Sequence, residues 1–458
     1  MRIKRYLQIS IKLNYRIISF VYFNLSKKGD VLLSLLIKNG YLLNPSNELE
    51  GNYDLFVDGD KIVQVEPSIN READTIIDAN GMYIMPGFID LHVHLREPGF
   101  EYKETISTGA MSAAKGGYTT ICPMPNTNPT IDNKYMVEYL KLKSKEEAVI
   151  NILPVGSVTK GQLGTELSDI SGMANAGAVA ISEDGKSVMN TSIYLEGMKA
   201  ANLAGIPVFA HCEDKDLVKN GVINAGEKAR ELDLPGISNA VEDIIVARDI
   251  LLAKETGVKL HLCHCSTEKS VTFIKMAKEE GLPVTGEVCP HHFTMSDDEI
   301  PNDDANYKMN PPLRSRADVD ALKEGLKSNI LDVIATDHAP HSMEEKEQSF
   351  RTAPFGIVGL ETAFSLTMTE LVNKGYLTPM QMVEKMSLNP ARVLGINKGS
   401  LEIGKIADIV IADPNESYKI DVNGFVSKGK NTPFHGKEVV GKVKYTIVSG
   451  EVVYQEYR

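Results

Sequence analysis

The sequence predicts an α/β fold, a (β/α)8 barrel of the TIM type with a small β-sandwich module built from the N- and C-terminal segments. Three observations predict it. Eight short apolar runs, most of them separated by amphipathic helical stretches, fill the middle of the chain. Polar residues able to do chemistry collect at the C-terminal ends of those runs, where a parallel barrel builds its site. Both flanks carry short β-forming runs joined by turn pairs.

The N-terminal flank supplies three strands, at Leu35-Leu36-Ile37, Leu55-Phe56-Val57 and Lys61-Ile62-Val63, with Asn39-Gly40 and Asp58-Gly59 as turns. At the other end, Ala407 to Ile411 and Lys444 to Val448 are β-rich, and Ser449-Gly450 turns the chain into Val452-Val453-Tyr454. Either flank alone is too short to bury a core, so residues 33–82 and 398–458 are expected to pair into one module. In the middle, residues 83–397, the strands are expected at Ile89 to His94, Thr119 to Pro123, Asn151 to Val155, Val179 to Ile181, Pro207 to Ala210, Lys259 to Cys263, Pro283 to Val288 and Asp332 to Ala335. Glu104 to Lys115 and Val241 to Glu255 are examples of the intervening helices. A doubly wound open sheet is the alternative, but no Gly-x-Gly-x-x-Gly follows a first strand.

Composition narrows the function classes. The 458 residues suit a large barrel plus a smaller module, and 43% hydrophobic content supports a normal core. A net charge of −12 without basic runs in the body argues against nucleic acid as the main partner. No apolar run reaches the roughly 18 residues of a membrane span. Five cysteines, Cys122, Cys212, Cys263, Cys265 and Cys289, form no dense framework and read as reduced thiols of a cytoplasmic protein. Residues 1–32 differ from the rest, being rich in Ile, Lys, Asn, Tyr and Phe with Asp30 as the single acid. Arg2, Lys4 and Arg5 before the apolar Ile17 to Phe23 suggest a signal peptide, but the run is short and lacks a convincing cleavage site. The segment reads better as translated leader. Lys28-Gly29-Asp30 is encodable as a purine-rich ribosome-binding site placed for a start at Leu33.

The chemistry sits at the strand ends. The first expected strand ends Asp90-Leu91-His92-Val93-His94, and two imidazoles two residues apart on a strand face the same way, a ready zinc pair. The fourth ends Ser182-Glu183-Asp184-Gly185, the fifth His211-Cys212-Glu213, and the sixth His261-Leu262-Cys263-His264-Cys265. Alternation predicts that Cys263 and Cys265 face away from His264 as small core residues, with His261 also on the other face. The eighth ends Ala335-Thr336-Asp337-His338-Ala339-Pro340-His341. Any one of these could be a satisfied polar residue, and Asp184-Gly185 alone could be a turn. Four histidines and two aspartates at successive strand ends of one barrel are hard to dismiss together.

The strings Pro86 to Arg96, Met124-Pro125-Asn126, Ser182 to Gly185, Asn310 to Arg314 and Thr336 to His341 together resemble class I dihydroorotase of the amidohydrolase superfamily, from about Ser34 onward. The resemblance implies a two-zinc barrel with a flanking β-sandwich, and reversible cyclisation of N-carbamoyl-aspartate to dihydroorotate in pyrimidine biosynthesis. It implies His92 and His94 as ligands of one zinc, His211 and His264 of the second, and Asp184 as the shared carboxylate. Asp337 matches the catalytic acid/base, also a metal contact. His94, Arg96, Asn126, Asn310, His341 and the Phe355-Gly356 pair match substrate positions. Glu183 departs from the family, which more often has Asp before the bridging acid. Ser342 to Pro354 is polar and charged, expected as a solvated loop or a mobile lid. Two other readings compete. A hydantoinase or allantoinase would more often bridge its metals with a carboxylated lysine, and Arg96 speaks against it. An inactive dihydroorotase-like partner of aspartate carbamoyltransferase should lack several of the six ligand candidates. A homodimer is expected, with association to aspartate carbamoyltransferase as a further option.

Overall fold

The N-terminal flank folds as strands because its apolar residues alternate between two buried surfaces. Residues 33–456 are described in this computed structural model, so the expectation for the leader, 1–32, lies outside the described residues. Five strands come first: β1 (Ser34–Asn44), β2 (Leu49–Asp58), β3 (Lys61–Glu66), β4 (Thr75–Asp78) and β5 (Tyr83–Pro86). Asn39-Gly40 is not a turn. Strand β1 runs straight through it as a bulge, with Asn39 at φ 62° and the register to β2 shifting between Ile37 and Gly40. Asp54 and Asp78 hold the bulge, taking the Asn39 backbone N–H at 2.8 Å and its side-chain amide at 2.9 Å.

The middle of the chain carries short parallel strands: β6 (Phe88–Val93), β7 (Tyr118–Pro123), β8 (Asn151–Ile152), β9 (Val155–Ser157), β10 (Ala180–Ser182), β11 (Val208–Ala210), β12 (Ile223–Asn224), β13 (Gly236–Ile237), β14 (Leu260–Leu262), β15 (Val284–Val288) and β16 (Val333–Ile334). All eight expected runs contain strand. Pro154 breaks the third in two, because it has no N–H for the ladder. The small parallel pair β12 and β13 was not legible in the sequence. Parallel pairing links β6-β7-β8 and, separately, β9-β10-β11-β14-β15-β16. Helices lie between them, among them Ile106–Lys115, capped by Thr105, and Ala240–Thr256, ended by left-handed Gly257. The first and last strands meet: Val93 bridges His338, His94 N–H donates to the His338 carbonyl at 2.8 Å, and buried Asp90 accepts from Thr336 Oγ1 at 2.6 Å. One apolar cluster draws Ile89, Leu91, Cys122, Val155, Ala180, Phe209, Cys263 and Val333 from around the series, and Ala391 and Val393 join it.

The C-terminal strands β17 (Ile409–Lys419), β18 (Glu438–Val448) and β19 (Glu451–Gln455) return to the N-terminal ones. The order is β19-β18-β17-β5-β1-β2-β3, with β4 also on β1. The link between the two ends is β5, which pairs parallel to β1 and antiparallel to β17. Tyr83 to Pro86, taken with the middle segment in the sequence, thus lies in the terminal sheet. Its short apolar run fits a buried strand of either unit. Leu35, Ile37, Leu55, Val57, Ile84, Ile409 and Ile447 share one core there. Among the described residues no helix is long and apolar enough to cross a membrane.

Candidate active site

Parallel strands deliver their C-terminal ends to one rim, and that rim gathers the candidate ligands. Asp184, just past β10, is the common neighbour. Its Oδ1 lies 3.2 Å from His92 Nε2, 3.4 Å from His211 Nδ1 and 3.7 Å from His264 Nε2, and its Oδ2 lies 3.5 Å from His94 Nε2. Asp337, after β16, puts Oδ1 3.0 Å from His94 Nε2 and 3.6 Å from His92 Nε2. The His92 and His94 rings sit 5.5 Å apart, as two residues of like strand parity require. His264 reaches the group differently. Strand β14 stops at Leu262, and His264 takes φ 32°, so alternation no longer governs it. Cys263 is a small core residue as expected, but it packs into the inner cluster beside His92 and Glu287 and not against the helices. Arg96 (φ 62°) and Asp337 (φ 47°) are held in the same uncommon backbone region, strain that concentrates at functional sites.

Electrostatics follow from burial and these contacts. Burial alone would raise the Asp184 carboxyl, but the surrounding imidazoles of His92, His211 and His264 hold it well below the usual range. Asp337 is likewise held low against burial by His94 and by the charges of His92 and His264. Burial opposes protonation of His211, yet Asp184 and Glu213 push it up to about 10. Four atoms of the group have no hydrogen-bond partner: His92 Nε2, Asp184 Oδ1, His211 Nε2 and His264 Nδ1. Unpartnered buried polar atoms cost about 1–3 kcal/mol each, so clustering them calls for a ligand. Imidazole and carboxylate donors suit a divalent zinc-like cation, and two of the compact donor groups are His92, Asp184, His264 and His92, His94, Asp337.

Several supporting residues were missed in the sequence. Glu287, fully buried on β15, takes His92 Nδ1 at 3.0 Å and His261 Nε2 at 3.0 Å, and accepts the His264 backbone N–H at 3.1 Å. It fixes the ring that presents Nε2 to Asp184. A lone acid inside the apolar run 283–288 was the signal. Glu213 lies 3.5 Å from His211 Nε2 and accepts from Asn310 Nδ2 at 2.8 Å. Glu183, the departure from the family pattern, turns away from the group and accepts the N–H groups of Val158 and Thr159 at 3.1 and 3.0 Å. Asp184 is left alone at the centre.

The expected substrate residues border the group on a less buried side. Asn126 joins His94 Nδ1 at 3.0 Å to Asp184 Oδ2 at 3.1 Å. Arg96 donates from Nε to the Pro340 carbonyl at 3.1 Å and faces His341 at 3.3 Å. Burial, then the charges of Arg96, Lys103 and Lys346, pull His341 down to about 2, so it is neutral. Its Nδ1 accepts from Lys103 Nζ at 3.2 Å, which leaves Nε2–H to donate to the Phe355 carbonyl at 2.8 Å. Gly356 has φ 131°, and a Cβ there would sit 2.7 Å from Ala339 Cβ and 3.1 Å from His341 Nε2. Lys103, unnoticed in the sequence, is thus the second cation beside His341.

Residues 81–270 match the model of the dihydro-orotase-like family. A dihydroorotase of Acetivibrio thermocellus is 48% identical over 92% of this chain and 99% of its own length. The chain belongs to the dihydroorotase family. A family member of Caldanaerobacter subterraneus is 47% identical over 93% of this chain and 98% of its own. Among solved structures, an L-hydantoinase from Arthrobacter aurescens superposes with a TM-score of 0.83 at 27% identity, covering 93% of this chain and 97% of that one. The architecture is therefore shared with hydantoinases, while the sequence sides with dihydroorotases.

Proposed function

We propose that this rim is the catalytic centre of a dihydroorotase, at the exit face of a barrel closed where β6 meets the segment that follows β16, and that it cyclises N-carbamoyl-aspartate reversibly to dihydroorotate in pyrimidine biosynthesis. The observation that carries it is the Asp184 carboxylate with four imidazoles within 3.7 Å and four unpartnered atoms in the group. His92 and His94 would hold one zinc ion and His211 and His264 a second, with Asp184 shared and Asp337 contributing to the first. When bound, the pair would lower the pKa of water and polarise the ring amide carbonyl that the water attacks.

The chain's own residues do the rest. The Asp337 carboxylate, kept ionised by its neighbours, accepts the proton of the attacking water and returns it to the departing ring nitrogen. In ring closure the same carboxylate takes the ureide N–H proton and delivers it to the leaving oxygen. Arg96 grips the substrate carboxylate, with Asn126, His341, Asn310 and the Phe355–Gly356 backbone framing the ring. That carboxylate sits on the ring carbon opposite the nitrogen being released, so gripping it fixes how the ring lies and thereby orients the scissile amide. Dihydrouracil keeps the ring amide without the carboxylate, and a site built for the charge should hydrolyse it several orders of magnitude less efficiently. The test is kcat/KM on both rings in the parent and in Arg96→Met. The proposal predicts a large preference for dihydroorotate that Arg96→Met abolishes. A parent that prefers the uncharged ring would assign the site to hydantoinase chemistry.

A further inference from the structure

The segment after His341 exposes most of its polar residues, as a solvated loop would, but is anchored from beneath at three buried positions, Lys346, Phe350 and Ala353. Ser342 caps a short helix, Met343–Lys346, and Phe350 and Ala353 are 1% and 2% exposed. Lys346 is 7% exposed, and its ammonium donates to three backbone carbonyls: Lys308 at 3.2 Å, Pro354 at 3.0 Å and Gly356 at 3.0 Å. Three donors meet three acceptors, the full capacity of an ammonium. Those carbonyls belong to two segments. Lys308 lies two residues before Asn310, and Pro354 and Gly356 flank Phe355. Gly356 N–H returns to the Lys308 carbonyl at 3.0 Å, so the two segments are stitched twice. Lys308 braces the far side, donating to the Phe350 carbonyl at 2.6 Å with its Nζ 4.5 Å from the Phe355 ring centroid. Among the described residues neither lysine has a carboxylate in salt-bridge range. Burial, then the charge of Lys308, pulls Lys346 down to about 7, and the three carbonyls rather than an ion pair hold its amine in place.

We propose that Lys346 is a positioning residue for substrate recognition. It does not touch the substrate. It fixes the backbone on both sides of Phe355, the Phe355 carbonyl fixes the neutral His341 ring, and the His341 ring stands beside Arg96. The wall that receives the substrate carboxylate is thereby set before substrate arrives, which spares the binding step the ordering of a loop. The inference rests on the reading of Arg96, His341 and Phe355–Gly356 as that wall.

A methionine at 346 would fill the space but remove the three bonds that tie the segments together, leaving the Lys308 carbonyl with only the Gly356 N–H and the Gly356 carbonyl with only the Asn431 amide. An arginine keeps the charge, but its planar fork cannot aim three donors from one point. In the full-length enzyme, Lys346→Met is expected to raise KM for dihydroorotate by about tenfold or more while kcat changes by less than about threefold, and Lys346→Arg should not rescue it. Metal content should stay at the parent value, and kcat/KM on dihydrouracil should fall far less than kcat/KM on dihydroorotate. A general packing defect would lower both substrates alike, and that result, or an unchanged KM, overturns the proposal. Should Lys346→Met fail to fold, Lys346→Gln, which keeps two donors, carries the same comparison with a smaller KM effect. Arg96→Met separates the two levels. If it leaves the preference for dihydroorotate intact, the wall itself is misassigned. If it removes the preference and the Lys346 variants do not affect it, the positioning role alone fails.

Discussion

The two ends of the strand layer are both rich in buried polar groups, and they treat them in opposite ways. Where the chain enters the strands, the groups are paired. Lys385 Nζ donates to Asn329 Oδ1 at 2.9 Å and the Leu331 carbonyl at 3.0 Å, Asn389 donates to the Asp332 carbonyl at 3.0 Å, and Asp332 accepts the Gly286 N–H at 3.0 Å. Ser387 closes onto the Pro86 carbonyl at 3.0 Å. Where the chain leaves the strands, His92, Asp184, His211 and His264 each keep an atom without a partner, and His291, His292 and Thr294 add more on the same side. Elsewhere among the described residues such atoms are fewer, at Tyr118 and Thr120 on β7 and at Ser144. Polar residues that hold a fold together satisfy one another, whereas polar residues that await a ligand do not.

That contrast predicts opposite outcomes for mutation. The largest effect is expected at the exit rim: Asp337→Asn should lower kcat by roughly 10² or more, with folding intact by circular dichroism. A near-normal rate would hand the proton to another group. Glu287→Gln, which loosens the His92 ring without removing a ligand candidate, should weaken metal affinity by about 10- to 100-fold in a chelator competition. Unaltered affinity would reduce Glu287 to a packing residue. At the entry rim, Asp332→Ala should cost about 1–3 kcal/mol of stability by leaving the Gly286 N–H unpaired, with kcat within about twofold of the parent. Loss of activity without loss of stability would erase the contrast.

The smallest effect is a pH dependence at the same rim. Burial pulls Lys385 down to about 8, below its unfolded value of about 10.4. Below pH 8 both states carry the proton. Between about 8 and 10.4 the unfolded chain binds more protons than the folded one, so stability contributed by this group rises with pH. The melting temperature of the parent should gain on that of Lys385→Met as pH goes from 7.5 to 9.5. A gap that is flat, or moves the other way, would contradict the burial of this charge.

The same contrast explains what the sequence could reveal. The eight strands were legible because short apolar runs bounded by turn residues have few other uses, and the ligand candidates were legible because they stood at the ends of those runs. The six residues brought within reach of one another at the rim were all named from their positions. What was hidden depends on backbone angles or on distant partners. Strand parity placed Cys263 away from the group, and the φ of 32° at His264 that defeats parity leaves no mark in the letters around it. Asn39-Gly40 spells a turn but is a bulge, because Asp54 and Asp78, distant in sequence, hold it open. Lys346 sits among Glu344, Glu345 and Glu347, so composition reads it as solvated, and the carbonyls that bury it come from positions 308, 354 and 356.

The proposed function places a pair of cations on Asp184 at the exit rim. The most direct measurement is metal content of the purified full-length chain by elemental analysis, parent against Asp184→Ala. The account predicts about two divalent ions per parent chain and close to none in the variant, because the shared carboxylate serves both positions. Full metal content in a folded Asp184→Ala would contradict it.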